Sequence, residues 1–414
     1  MVSQRLGGLT KIDGFLVFLL IIFSGNPAIY NQSSYDVLVG IFGIYLILYF
    51  KIKKIKITPL SWRIAILFLG ILIIQAVQFY YFPIRPILGF YTRMFIGFAV
   101  IHSVKNFPYI FVRIMFWIAI FAIGFHYARI SGIDIPSMLT PLESIFGIKI
   151  PNRQIAFVHT FYFSGIDKYR NAGMFWEAGA FAGYMNLSLL FLGILRKQIP
   201  RRHHIGYLII FTIAILSSKS TMGYIVYPFG LLFNLDLTLV KDRIKNTLSG
   251  KAIFILFVFI PILVFASLTS YKKFEFMGNK IIRQVEVAIY KQNPSWYLSR
   301  FGSLLLNIEL IKEYPFFGVG PGNNADILMG LNKLDRSSGM GNGMAGFITN
   351  FGMVGFCCFL ICVYWGFRKY GQNKYKSALA VAVIVLTLQG EGFLNHALYM
   401  GLFFLGDMNQ EVLH

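Results

Sequence analysis

The sequence predicts an all-α polytopic membrane protein of about twelve transmembrane helices, in a single domain (1–414) with two long extracytoplasmic loops. Hydrophobic residues fill 57% of the 414 positions and charged residues only 13%, and mean hydropathy is +0.65, far from the usage of soluble domains. Apolar stretches near the roughly 20 residues that cross a hydrocarbon core about 30 Å thick recur along the chain, punctuated by Pro, Gly and basic clusters. The basic residues concentrate in alternate turns.

In order, the first five spans are expected at 14–30, 35–50, 63–82, 86–104 and 107–128. The first lacks a small-residue cleavage site and reads as the insertion signal itself. Four further spans follow at 175–195, 204–217, 221–238 and 252–270, and three more at 344–367, 377–389 and 392–406. The seventh is short, so it is either tilted or one half of a broken pair with the eighth.

The formal net charge is +21, with 38 Lys and Arg against 17 Asp and Glu. Nucleic acid would be one reading of such a balance, but the location of the charge argues for topology instead. KIKKIKITPLSWR (51–63) carries five Lys/Arg, and RKQIPRRHH (196–204), KDRIKNTLSGK (241–251) and RKYGQNKYK (368–376) carry four each. If the spans alternate, all four segments fall on one side with Arg5, Lys11, Lys105 and Arg113. The positive-inside rule makes that side the cytoplasm and places both termini there.

On the opposite side lie the two long loops, 129–170 and 271–343, which are aromatic and aliphatic rather than low in complexity. Within the second, EFMGNKIIRQVEVAIYK (275–291) has the helical period of a segment lying on the membrane surface. WYLSRFGSLLLNIELIKEYP (296–315) reads as a second amphipathic helix, with Phe301, Leu304, Leu305, Ile308 and Ile311 on one face, Arg300 near its first turn and Pro315 ending it.

The stretch RNAGMFWEAGAFAGYMNLSLLF (170–191) sets an arginine and a glutamate at the mouth of an apolar run. If it is helical throughout, Arg170, Gly173 and Glu177 share a face. Ionisable groups inside a span are functional candidates by default; the alternative is a snorkelling Arg170 and a paired, structural Glu177.

Lys219 in SSKST (217–221) sits among hydroxyls and backbone amides before the eighth span, either a phosphate seat or an interfacial anchor. Arg85 and Arg93 flank the outer end of the fourth span, and Arg93 lies about two turns inside it, where it must line a cavity or meet a partner. His159, Glu391 and His396 are further groups able to exchange protons, and a lone His there is more often structural. GVGPGNN (318–324) lacks the context of a nucleotide loop and reads as a tight turn.

Cys357, Cys358 and Cys362 fall within one span and read as packing residues. There is no metal-binding motif. The separated cations Arg93, Arg170, Lys219 and Arg300 suit a ligand with several negative charges and a lipid body.

RNAGMFWEAGAFAGY, then SSKSTMGY opening a span, then SRFGSLLLNIELIKEYPFFGVGPGNN in the second loop together resemble the O-antigen polymerase and O-antigen ligase superfamily of bacterial envelope glycosyltransferases. The matching positions are Arg170, Gly173, Phe175, Glu177 and Gly179, then Ser218 to Gly223, then Arg300 with Pro315, Gly318 and Gly320. The match covers roughly residues 165–360. Ala178 stands where the family often has Pro, and Lys219 where Arg is frequent. Gly341 precedes Asn342 where ligases usually have His, which points to the polymerase branch.

The resemblance implies a GT-C-type fold in the bacterial inner membrane with the site facing the periplasm. It also implies a metal-independent, cofactor-free transfer of glycan from undecaprenyl pyrophosphate to a lipid-linked acceptor. A chain-length regulator is implied as an accessory partner, and nucleic acid is not. Arg170, Glu177 and Arg300 become the catalytic candidates, with Arg93, Lys219, Gly173, Arg85 and His396 as substrate-binding candidates. A ligase acting on lipid A core and a non-enzymatic transporter are the alternatives. The latter is weakened because the chain shows neither an internal repeat nor matching ionisable groups near the midplane.

Overall fold

The fold is that of a computed structural model, which describes residues 11–30, 35–80, 82–141, 153–163, 169–235, 300–322 and 343–407. Most of them are helical. The first group comprises α1 (Lys11–Gly25), α2 (Pro27–Tyr30), α3 (Tyr35–Lys53), α4 (Pro59–Phe79), α5 (Ile84–Ser103), α6 (Phe107–Ile130) and α7 (Ile135–Met138). After a hairpin, β1 (Arg153–Ala156) and β2 (His159–Tyr162), come α8 (Ala178–Ile194), α9 (Arg201–Ser218) and α10 (Thr221–Asn234). The chain continues through α11 (Arg300–Glu313), α12 (Gly343–Lys369), α13 (Lys374–Gly390) and α14 (Ala397–Gly401), which runs on into a 3-10 segment, Leu402–Asp407.

Among the described residues, six helices are long and apolar enough to cross a membrane: α3, α4, α5, α6, α12, and α8 with its 3-10 extension. The chain is therefore a multi-pass helical protein, but twelve spans of full length are not what it shows. Expected spans within the described residues coincide with helices, several of them shorter or less apolar. The last is divided into a 3-10 turn (Phe393–Asn395), α14 and the final 3-10 segment. The expected span at 252–270 and surface helix at 275–291 lie outside the described residues.

Helix α8 is the centre. All 17 of its residues are buried, as a helix without a polar face requires, and it packs against α6, α9, α10 and α13. Small residues along it permit close approach: the Phe393 ring occupies the space that a side chain at Gly183 would need. Helix starts are locally encoded. Thr58 caps α4 by accepting from the Ser61 amide (3.2 Å) ahead of Pro59, and Asn373 caps α13 by accepting from Lys376 N (2.8 Å).

Three of the four basic stretches meet at one end of the bundle. Arg196 donates to Asn234 O (2.7 Å) and Lys376 to Phe233 O (2.9 Å). Lys369 bonds the Gly406 carbonyl, and Thr58 bonds the adjacent Asp407 carboxylate. The fourth stretch, 241–251, lies outside the described residues.

Helix α12 is broken at Gly352 (φ 66°, ψ −177°), a conformation that requires glycine. The break releases backbone groups of the helix, and the strap after α11 takes them up: Val319 N donates to Thr349 O (2.7 Å), Gly320 N to Asn350 O (3.1 Å), Met353 N to Pro315 O (2.8 Å) and Val354 N to Phe316 O (3.1 Å). Gln75 of α4 clamps both sides, donating to Phe317 O (2.5 Å) and Asn350 O (2.7 Å). Polar backbone within an apolar bundle must be satisfied in this way. The GVGPGNN stretch thus does form a turn, with positive φ at Gly318, Gly320 and Gly322.

The described residues are mostly helical, as the sequence predicts; one short hairpin, which the sequence did not signal, pairs Arg153 with Tyr162 and Ala156 with His159, in strands too short for a periodic signal. Its placement depends on remote partners, with Asn26 Nδ2 donating to Phe157 O (2.5 Å) and Arg129 to Tyr162 O (2.8 Å). The helix expected across 170–191 begins only at Ala178, so Arg170, Gly173 and Glu177 do not share a helical face. In α11, Ser303, Asn307 and Leu310 are buried. Asn307 Oδ1 accepts from Thr349 Oγ1 of α12 (2.7 Å), and where lipid is the solvent, polar groups gain most from facing protein.

Candidate functional site

The end opposite the basic turns holds the candidate residues. Between Tyr169 and Trp176 the chain follows no regular helix, and Asn171 determines its course. Fully buried, Asn171 donates from its amide N to Ser217 O (3.1 Å) and from Nδ2 to Ser217 Oγ (3.0 Å) and Ala122 O (3.2 Å). Its Oδ1 accepts from Gly173 N (2.9 Å). Gly173 turns with φ +53° beneath the Phe181 ring, and its carbonyl accepts from Thr160 N of β2 (2.7 Å). The segment is thereby fastened to α6, α9 and the hairpin at once.

This anchoring brings two sequence motifs together. Arg170 Nε donates to Ser218 O (3.4 Å), and the next residue, Lys219, adopts φ 49° at the end of α9 with its ammonium 5.5 Å from the Tyr169 ring centroid. Two cations 49 positions apart thus share a corner. Two amides of that turn are taken up locally: Ser218 Oγ accepts from Ser220 N (3.2 Å) and Ser220 Oγ from Gly223 N (3.2 Å).

Glu177 is the extended residue preceding α8 (φ −157°, ψ 166°), half-buried, with its carbonyl accepting from Phe181 N (3.1 Å). Beside it, Trp176 links the two halves of this end. Its carbonyl accepts from Tyr162 Oη (2.8 Å), its Nε1 donates to Glu391 Oε2 (3.3 Å), and its ring stacks on His396 with centroids 4.8 Å apart. Glu391 is buried where α13 ends. The His396 side chain sits within the last apolar segment, at the start of α14.

Arg85 and Arg93 stand apart, on α5. Arg85 forms an exposed ion pair with Asp36 (2.6 Å), which compensates its charge. Arg93 lies deeper and half-buried. Arg300 is the first residue of α11. His159 is buried between Phe125 and Phe161; burial first, then the charges of His126 and Arg129, push it down to about 3.

Sequence reasoning did not single out Asn171, Trp176, Tyr162 or Arg129. The first two lie inside the quoted stretch, but as neutral residues they gave no charge signal. Among the described residues no group of His, Cys, Asp or Glu could hold a metal. A crevice at the strap, walled by Leu72, Gln75, Pro83, Ile87, Val319 and Pro321, contains none of the candidate cations.

The class defined by fold and site is a multi-pass helical membrane protein with a cationic, aromatic-lined corner at the end away from its basic turns. No family model matches the chain, and no curated protein matches it.

Proposed function

We propose that this chain is a membrane glycan polymerase, joining lipid-linked oligosaccharide repeats at the outer face of a bacterial inner membrane. One observation carries the reading: the motifs around Arg170 and Lys219, separated in sequence, converge through Asn171 and Ser217 into one cationic corner. Such a corner suits a pyrophosphate. The acceptor hydroxyl oxygen bonds to the anomeric carbon of the donor glycan, whose bond to the pyrophosphate oxygen breaks. Undecaprenyl pyrophosphate leaves with the bonding electrons.

Positioned cations in a partly dry site stabilise the charge that accumulates on that leaving group without a metal. We assign this to Arg170 and Arg300, aided by Lys219. Glu177, at the foot of the same segment, is assigned the hydroxyl proton.

A transporter would use a broken helix to present backbone groups to a cavity. In α12 the released groups are occupied by the strap, which favours the enzyme. The test supplies purified protein in liposomes with a single repeat on undecaprenyl pyrophosphate and follows glycan length on a gel. The parent is expected to build a ladder, and Arg170→Ala and Glu177→Ala to lose it by about a hundredfold or more. A parent that leaves single repeats unchanged overturns the reading. Transfer only to added lipid A core would identify a ligase, and passage to the other leaflet without elongation a transporter.

A further inference from the structure

The deep arginine of α5 is not accounted for by the corner at Arg170. Arg85, Gly89 and Arg93 recur every four residues and so form one stripe along α5. Arg93 lies nine residues beyond the start of the helix, about 13 Å along it at ~1.5 Å per residue. Its guanidinium folds back over Gly89, where an added Cβ would stand 3.3 Å from Nη1. The missing side chain leaves the room that the cation occupies. Arg93 Nε is buried without a hydrogen-bond partner among the described residues.

The groups facing Arg93 do not balance it. Asp36 is within electrostatic range but is already paired with Arg85. Tyr35 donates its hydroxyl to Phe23 O (3.1 Å), and the His396 ring stacks on Trp176. The described residues near this stripe therefore set two guanidinium cations against one carboxylate. A guanidinium within a span is costly unless something compensates it, and an anion would.

The anion's source follows from position. Helix α5 packs against α3 and α14, whereas Arg170 lies in the segment before α8 and Lys219 at the end of α9, and α3 presents Ile41, Ile44 and Leu48 outward, with Leu88 exposed on α5 itself. A ligand reaching Arg93 beside these surfaces arrives from the bilayer, head first past Arg85 and tail in lipid.

We propose that Arg93 is the seat of a second lipid-borne phosphate, separate from the one at Arg170 and Lys219. The idea rests on the polymerase reading in one respect: a reaction between two lipid-linked repeats needs a place for the acceptor's carrier as well as the donor's, and Arg93 supplies it. Fork-shaped contacts from a guanidinium fit either a phosphate or a pyrophosphate.

Native mass spectrometry of the full chain, titrated with undecaprenyl phosphate, counts the lipids without requiring turnover, so it stays readable even if no ladder is ever made. The parent is expected to bind two. Arg93→Gln should weaken one of them by roughly tenfold or more, Arg170→Gln the other, and the double variant both. Arg93→Lys, which keeps the charge, should restore part of the loss and so separates binding from folding. Two undiminished lipids on both Arg93→Gln and Arg93→Lys, or loss of both lipids from Arg170→Gln alone, would overturn the proposal. Equal displacement of the Arg93-dependent lipid by inorganic pyrophosphate would also overturn it, by showing a site for free phosphate.

Discussion

Asn171 fastens the chain beside Arg170 to Ser217 through its amide N and Nδ2, two residues before Lys219, and no charge pattern could have revealed it. His159 illustrates the same scale by a different route. Its imidazole, pushed down to about 3 in the folded protein from an ordinary value of 6.5, is neutral in the hairpin, whereas in the unfolded chain it takes up a proton near its ordinary value. The unfolded state thus binds more protons between those two pH values. The stabilising contribution is complete above pH ~6.5 and is lost as pH falls, at up to about 1.4 kcal/mol per unit. Thermal melting of the purified protein between pH 7.5 and 5 should show this decline, and His159→Phe should make it shallower. An unchanged acid slope in the variant would remove His159 as its cause.

At the scale of elements, α12 and its strap behave as one unit, because each satisfies backbone groups that the other leaves open. Gly352 is the critical position: a Cβ there would meet the Phe316 carbonyl in a backbone region that other residues rarely enter. Gly352→Ala should cost at least about 1–3 kcal/mol, read as a lower melting temperature. Gly346 serves as the control, since nothing lies within 4 Å of a Cβ added there, and Gly346→Ala in the helix should be neutral or slightly stabilising. Equal effects of the two substitutions would refute the strap's role. The order of residues already suggested that GVGPGNN (318–324) turns, but not that it turns against a broken helix. Likewise, the amphipathic pattern of α11 gave its helicity correctly, but not the buried contact that Asn307 makes with Thr349.

For the whole molecule, the basic turns gathered at one end favour a fixed orientation, with that end in the cytoplasm. Single cysteines at Tyr375 and Ile133, both exposed and at opposite ends, in a background with Cys357, Cys358 and Cys362 replaced, would test it. An impermeant maleimide added outside should label Ile133→Cys and spare Tyr375→Cys; labelling of Tyr375→Cys alone would reverse the orientation. The sequence by itself determined the helical membrane class, the positions of most helices and the clustering of charge in alternate turns. These follow from local composition, because partition into lipid is decided segment by segment. Only the tertiary structure decided that Arg170 precedes α8 rather than riding on it, that it meets Lys219, and that Arg93 stands apart over Gly89. Those placements depend on contacts such as Asn171 with Ser217, Thr160 with Gly173 and Trp176 with Glu391. Such contacts join distant stretches, and the local pattern of either stretch carries no record of its partner.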